Sequence, residues 1–386
     1  MLTILSSRIF LVGHETREAP WCLVDGQWVQ PRDNLMEGPL DRHNCATLDV
    51  NQDGVPDVLC GLGAVSGTEL GYNEVYVTNT TDGTLTKAPQ GHGLDKFPTM
   101  RNRFMKTLKG ADGSDLVFLA TKGTVREDGL PNNHRMFRLT HPSNGTFRFR
   151  EVLPRPWSHY TQVSCLQIVD VNQDGLDDIV LCNRQSNGIM FVQKPDASWE
   201  TVRFHGSFAA KWRSARVADL TGDGIKDLVI VGYGGRKIKE PESYLQIFHG
   251  VPEFPYLDVS KEGLVYERIL PYASPDVEVL DVNSDGAPDL YVVQANEWER
   301  GTYCSNPFVK ADWWEVGYNL FTPPMDTAPD LLLVGTPNQS EAFNPINMTH
   351  AEPGCGSFVE TFGDNRTLVL AQGTRDRPGD NLLLHW

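Results

Sequence analysis

Four stretches of the chain repeat one short formula: Asp49-Val-Asn51-Gln-Asp53-Gly54-Val55-Pro-Asp57, Asp170-Val-Asn172-Gln-Asp174-Gly175-Leu176-Asp-Asp178, Asp219-Leu-Thr221-Gly-Asp223-Gly224-Ile225-Lys-Asp227 and Asp281-Val-Asn283-Ser-Asp285-Gly286-Ala287-Pro-Asp289. Each puts oxygen-bearing side chains at positions 1, 3, 5 and 9 and a Gly at 6. A loop of this kind wraps a hard cation. Alternate side chains turn inward, the carbonyl of position 7 (Val55, Leu176, Ile225, Ala287) adds a ligand, and Gly allows the sharp turn. One copy is a weak signal. Four in register predict a repeat protein holding about four structural Ca²⁺ ions, by that ligand pattern.

The flanks decide the fold. An EF-hand loop ends on a bidentate Glu at position 12 and joins two helices; here position 12 is Cys60, Leu181, Ile230 or Val292. Short aliphatic runs follow the loops, such as Asp178-Ile-Val-Leu-Cys182 and Asp227-Leu-Val-Ile-Val231. Such runs, bounded by Gly and Asp, read as buried strands. Asp82-Gly83 and Asn144-Gly145 then mark tight hairpins further along. Each repeat is therefore four strands, A to D, with the cation loop between A and B. A shortened copy at Leu108–Asp115 lacks the first carboxylates and is expected to hold no ion. The period is about 58 residues, the spacing of β-propeller blades. The blades fall at 41–90, 98–155, 160–207, 212–270 and 273–350, with an incomplete blade at 1–35 and a terminal one at 354–386. The expected fold is all-β: a seven-bladed propeller, or six-bladed if the termini complete one blade, forming a single domain over 1–386.

The loops and their strands resemble the FG-GAP / VCBS repeats of integrin-α-type propellers. Residues 41–295 carry the resemblance; of the Phe-Gly/Gly-Ala-Pro signature only fragments stand, Gly61-Leu-Gly-Ala64 and Gly286-Ala-Pro288. The resemblance implies a Ca²⁺-bearing propeller, usually extracellular and usually used for binding. That family includes adhesion subunits, lectins and polysaccharide-active enzymes, so the fold leaves the function open.

Composition narrows the classes. A net charge of −16 argues against nucleic acid, and no run of about 18 apolar residues offers a membrane span. Five Asn-X-Ser/Thr sequons, at Asn79, Asn144, Asn338, Asn347 and Asn365, point mildly outward from the cell. The opening residues make a poor signal peptide, because an Arg interrupts the apolar run. Loops without a bidentate Glu suit millimolar external Ca²⁺. Cys45/Cys60 and Cys165/Cys182 could each face across an A–B hairpin, or pack as buried free thiols. Cys304 and Cys355 are further disulfide candidates, and Cys22 is left over.

Chain direction separates the two ends of each blade. A–B and C–D turns open at one end, B–C and D–A connections at the other. The B–C connections are long, at 61–73, 121–134, 232–243 and 294–324, and long loops are usually functional. The ligand face is therefore expected opposite the cation loops. Arg101, Arg103, His159, Tyr160, Trp212 and Arg213 lead into strands on that side, and Trp298, Trp313 and Trp314 lie in the longest insertion. Two readings of these residues stand. They form a pocket for a glycan or protein partner, with Arg for anions and rings for stacking; or Arg pairs with loop acids and Trp fills the blade tops. No nucleophile elbow, zinc-protease motif or phosphate loop appears. The expected function is thus an extracellular binding module. The alternative is a lyase acting on uronic polysaccharides, with His159 as base and Arg101 or Arg213 neutralising the carboxylate.

Overall fold

The computed structural model describes residues 42–62, 72–81, 84–95, 102–121, 134–142, 146–152, 163–183, 187–205, 211–233, 243–270, 273–295, 330–335 and 344–348, together with terminal strands at 10–11, 21–24, 27–29, 354–362, 365–374, 377–378 and 382–385. These residues are all-β. Strands β1 (Phe10–Leu11), β2 (Trp21–Val24) and β3 (Gln27–Val29) form a three-stranded sheet.

Six four-stranded sheets follow. The first is β4 (Arg42–Leu48), β5 (Asp57–Leu62), β6 (Glu74–Thr78) and β7 (Leu85–Lys87). The second is β8 (Asn102–Lys109), β9 (Asp115–Thr121), β10 (Arg135–Thr140) and β11 (Arg148–Glu151). The third is β12 (Val163–Val169), β13 (Asp178–Asn183), β14 (Asn187–Gln193) and β15 (Trp199–His205). The fourth is β16 (Lys211–Ala218), β17 (Asp227–Tyr233), β18 (Ser243–Phe248) and β19 (Leu264–Leu270). The fifth is β20 (Ala273–Leu280), β21 (Asp289–Ala295), β22 (Asp330–Val334) and β23 (Asn344–Met348). The last is β24 (Gly354–Phe362), β25 (Asn365–Thr374), β26 (Arg377–Pro378) and β27 (Leu382–His385), with β27 paired on β25. Sequential four-stranded up-and-down sheets are propeller blades, so the all-β propeller class expected from the sequence stands.

Strand B is the buried centre of the sheets whose side chains are described, from β4–β7 through β20–β23. β5 and β13 are buried at every residue, which is why they read as unbroken apolar runs rather than alternating ones. In the fourth sheet Ala218 faces Asp227 and the register runs back to Lys211 opposite Tyr233. The A–B turn and the B–C connection thus leave from opposite ends of the sheet.

The chain divides into two compact units, Met1–Ile168 with Gly175–Ile179 and Gln193–Glu200, and the remainder to Trp386. The core of the first gathers Val50, Leu59, Val75, Met105, Val117, Phe137 and Phe149 from β4–β11 and their turns. The core of the second gathers Val229, Leu245, Val277, Leu290 and Leu333 from β16–β22.

Cys45 faces Cys60 in the β4–β5 register, and the two form a disulfide. Cys165 and Cys182 are also disulfide-bonded. The free-thiol alternative for these four residues is thereby overturned. Cys304 lies outside the described residues, as do the side chains of Cys22 and Cys355.

Candidate metal centres

All four Asp-rich loops wind alike. Position 4 has positive φ in the first, second and fourth (Gln52 63°, Gln173 60°, Ser284 57°), and the third places Gly222 there at 73°. Position 6 is Gly54, Gly175, Gly224 or Gly286, at 84–87°. An L side chain in this left-handed region is strained, which explains Gly at position 6. The sequence reading missed position 4, because Gln and Ser carry no signal for it.

Positions 1, 3 and 5 fold onto the amides of their own loop. In the first, Asp49 accepts the N–H groups of Asp53 (3.1 Å) and Gly54 (2.9 Å), and Asp53 accepts that of Val55 (2.9 Å). The fourth repeats this with Asp281, Asp285, Gly286 and Ala287. In the third, Asp219 accepts from Gly222 and Gly224.

Position 9 does something different. Asp57, Asp178, Asp227 and Asp289 each open a strand B and are fully buried. One oxygen reaches back to the N–H of position 2: Val50 at 2.8 Å, Leu220 at 2.9 Å, Val282 at 2.7 Å. The other accepts an N–H at the far end of strand C: Thr78 at 2.7 Å, and Gln193, Gly250 and Gly335 at 2.8 Å. One carboxylate thus locks the A–B loop to strand C. The same four residues close on the position-8 carbonyl. Thr78 Oγ1 donates to the Pro56 carbonyl (2.8 Å) and Gln193 Nε2 to that of Asp177 (3.0 Å). At Gly250 and Gly335 the backbone itself comes so near that a Cβ would sit 2.2 Å from the Lys226 oxygen or 2.4 Å from that of Pro288.

Electrostatically the loops concentrate negative charge. Burial raises the carboxyl pKa of Asp57, and Asp53 and Asp49 push it further up, against lowering by the Thr78 and Val50 N–H groups. Asp289 is raised in the same way, by burial and then by Asp281 and Asp285. As the side chains stand, no three of His, Cys, Asp or Glu among the described residues form a metal-holding group. The donor chemistry nevertheless fits a hard divalent cation. Every donor in the first, second and fourth loops is oxygen, and a carboxylate-rich cluster of this kind calls for a positive partner.

The third loop departs from this. His249 stands with Nε2 3.5 Å from Asp223 and Nδ1 3.4 Å from Asp227, in the strand-C slot that is Val77, Val192 or Val334 in the other sheets. Its C–D connection, 249–263, is also long, with a bridge from Gly250 to Leu257 and Phe254 exposed at 55%. The cation end of this sheet is therefore not confined to short turns, contrary to the expectation from the sequence.

The shortened copy, in the β8–β9 turn, is held by protein instead. Ala111 N–H donates to Gln193 Oε1 (2.7 Å), Gln193 Nε2 donates to the Lys109 carbonyl (3.0 Å), and Lys109 N–H donates to Asp177 (2.8 Å). Asp112 pairs with Arg138 at 3.0 Å; its pKa is lowered, first by hydrogen bonds from Ser114.

Of the expected ligand-face residues, Trp212 lies at the B–C end of its sheet, opposite Gly232. It is fully buried and stacks on Phe204 with ring centroids 5.9 Å apart. Its ring fills the core and is not presented to a ligand, which corrects that assignment. Arg213 is half-buried with a partner of its own. Arg101, His159, Tyr160, Trp298, Trp313 and Trp314 lie outside the described residues, as does the Arg103 side chain. At two of the B–C ends stand buried polar residues that the sequence did not single out. Asn73 Oδ1 accepts the Leu62 N–H (3.2 Å), and His134 Nδ1 accepts the Thr121 N–H (3.1 Å). Full burial lowers the His134 pKa to about 4.

Residues 170–230 match the family described as FG-GAP-like repeat. The segment runs from the second Asp-rich loop through the third and into β17, so an FG-GAP-like repeat occupies that part of the chain. No curated protein matches the sequence. Among solved structures the chain is similar to BBS1N, in a crystal structure of its complex with ARL6DN, at 9% identity over 92% of this chain and 80% of that chain, TM-score 0.43. It is also similar to Sqt1 from Chaetomium thermophilum, at 10% identity over 88% of this chain and 83% of that chain, TM-score 0.47. No helix among the described residues is long and apolar enough to cross a membrane.

Proposed function

We propose that the chain is a calcium-stabilised extracellular binding module that takes protein or carbohydrate partners on the long-loop ends of its sheets. The carrying observation is the fourfold recurrence of one carboxylate-rich loop, each tied to strand C by a buried Asp. Ca²⁺ would supply charge neutralisation and oxygen coordination at Asp49, Asn51, Asp53 and Asp57 and at their counterparts. The chain's own contribution is to preform the turn, with two left-handed residues and a clamped carboxylate. The ions act as clips that let acidic turns sit at blade ends, so partner binding falls to the other ends. There the connections 63–73, 122–134 and 296–329 exceed what a hairpin needs.

An extracellular setting is supported by the Cys45–Cys60 disulfide, since such bonds persist in oxidising compartments. Millimolar calcium outside cells also suits loops of this ligand set. The test is a glycan and cell-surface-protein binding screen, with paired melting curves in calcium and in chelator. Calcium-dependent stability together with binding that survives loop substitutions such as Asp285→Asn supports the reading. Indifference of the melting curve to chelation refutes it.

A further inference from the structure

We infer that Asn79 is a site of N-linked glycosylation, an inference that rests on the extracellular reading above. Asn79-Thr80-Thr81 is an acceptor sequon of the more efficient threonine type. It begins the turn between β6 and β7, where Asn79, Thr80 and Thr81 are all exposed. The turn is closed by Asn79 N–H donating to the Thr84 carbonyl at 2.8 Å. The Asn79 side-chain oxygen accepts the Thr81 N–H at 2.8 Å. That bond orients the exposed Asn79 side chain toward the Thr81 residue that the transfer requires.

Two features make this sequon more than a chance match. First, its neighbourhood tolerates a bulky polar adduct. The turn follows a strand whose Val75 and Tyr76 side chains are already buried on its two opposite faces, so an adduct on exposed Asn79 need not disturb either. Second, the same four strands carry the Cys45–Cys60 disulfide. Disulfide formation and sequon glycosylation take place in the same oxidising secretory compartment, so a sheet built to hold one is exposed to the enzymes of the other. Among the remaining sequons, Asn347 lies within β23, paired with Leu331, and Asn365 opens β25; neither sits at a described exposed turn.

The step balances with a lipid pyrophosphate-linked oligosaccharide as donor. Asn79 Nδ2 bonds to the anomeric carbon, the carbon–oxygen bond to pyrophosphate breaks, the amide proton passes to a base, and lipid pyrophosphate leaves.

The test uses the full chain expressed in eukaryotic cells, with and without a heterologous signal sequence. Peptides are treated with peptide-N-glycosidase in ¹⁸O-water, and the Asn79 peptide is read by mass spectrometry. The secreted wild type should carry ¹⁸O-Asp at this position. Asn79→Gln and Thr81→Ala should each lose one glycan's mass, while Thr81→Ser keeps it. Unmodified Asn79 in secreted, folded wild type overturns the inference. A chain that folds only in the cytosol and misfolds when secreted instead sinks the extracellular reading on which it rests.

Discussion

Asp53 and Asp57 sit four residues apart in one loop, and their contacts differ. Asp57 is buried, and both of its oxygens accept N–H bonds, from Val50 and Thr78. Asp57→Asn keeps one acceptor and turns an NH₂ against the other N–H. The loss is one charge-assisted bond, about 1.5–3 kcal/mol, together with part of the cost of a stranded buried donor, so about 3 kcal/mol in all. Asp53 is exposed and bonds only within the loop. Asp53→Asn in chelator should lie within about 0.5 kcal/mol of wild type. Calcium adds a separate penalty for Asp53→Asn. At about 1 mM Ca²⁺, a loop with Kd of about 10⁻⁴–10⁻³ M contributes roughly 0.4–1.4 kcal/mol. Removing one such loop from four should cut the calcium-induced gain by about a quarter. Urea unfolding followed by tryptophan fluorescence, in chelator and in calcium, reads both effects. If Asp57→Asn were neutral in chelator, the clamp would carry no stability. If Asp53→Asn were as damaging there as Asp57→Asn, the added clamping task of Asp57 would be wrong.

Other outcomes follow from the same contacts. Asp174→Ala should lower the melting temperature in calcium more than Asp112→Ala, and chelation should erase the difference, because Asp112 already has Arg138 as its partner. Gln193→Ala removes three hydrogen bonds from a fully buried site and should cost about 2–4 kcal/mol with or without calcium, as read by urea midpoints. His134 is held neutral, with its pKa lowered to about 4 from the usual 6.5. The unfolded chain therefore takes up a proton before the native one does: this contribution is complete above pH 6.5 and is lost between 6.5 and 4, by about 3 kcal/mol. His134→Asn keeps an acceptor for Thr121, as Asn73 does for Leu62, and should flatten that part of the pH–stability curve.

The strand–loop–strand unit was legible because its information is local. Asp at position 9 opens strand B in four sheets, and Asp115 opens it in the β8–β11 sheet, followed each time by an apolar run that can only be a buried strand. The clamp on strand C was not legible. Its partners Thr78, Gln193, Gly250 and Gly335 share no side-chain type, because the bond uses the backbone N–H, which leaves no mark in a sequence. The disulfide was half legible: a register with Leu48 opposite Asp57 places Cys45 opposite Cys60, but a buried thiol pair has the same spacing. Trp212 misled for a related reason. An aromatic at the start of a strand looks alike whether it faces a ligand or, as here, stacks on Phe204.

The β8–β9 turn shows what an A–B loop requires when the cation formula is missing. Its backbone is gripped by Gln193 and Asp177, and its single loop carboxylate is neutralised by Arg138. Protein donors and a guanidinium thus do the work proposed for calcium in the four acidic loops. Gln193 supplies this grip with its side chain while its N–H holds Asp178, so one residue serves two neighbouring turns. The third loop stands between the two designs. It keeps Asp219, Asp223 and Asp227, yet His249 already lies against two of them, and the connection that begins at His249 carries the exposed Phe254. Substituting valine, the residue of the equivalent slots, for His249 leaves the other three loops untouched. If calcium and imidazole compete for the same carboxylates, His249→Val should tighten one of the four calcium-binding events in a calorimetric titration. Unchanged affinity at all four would mean that His249 is only a lateral contact and that the third loop works like the rest.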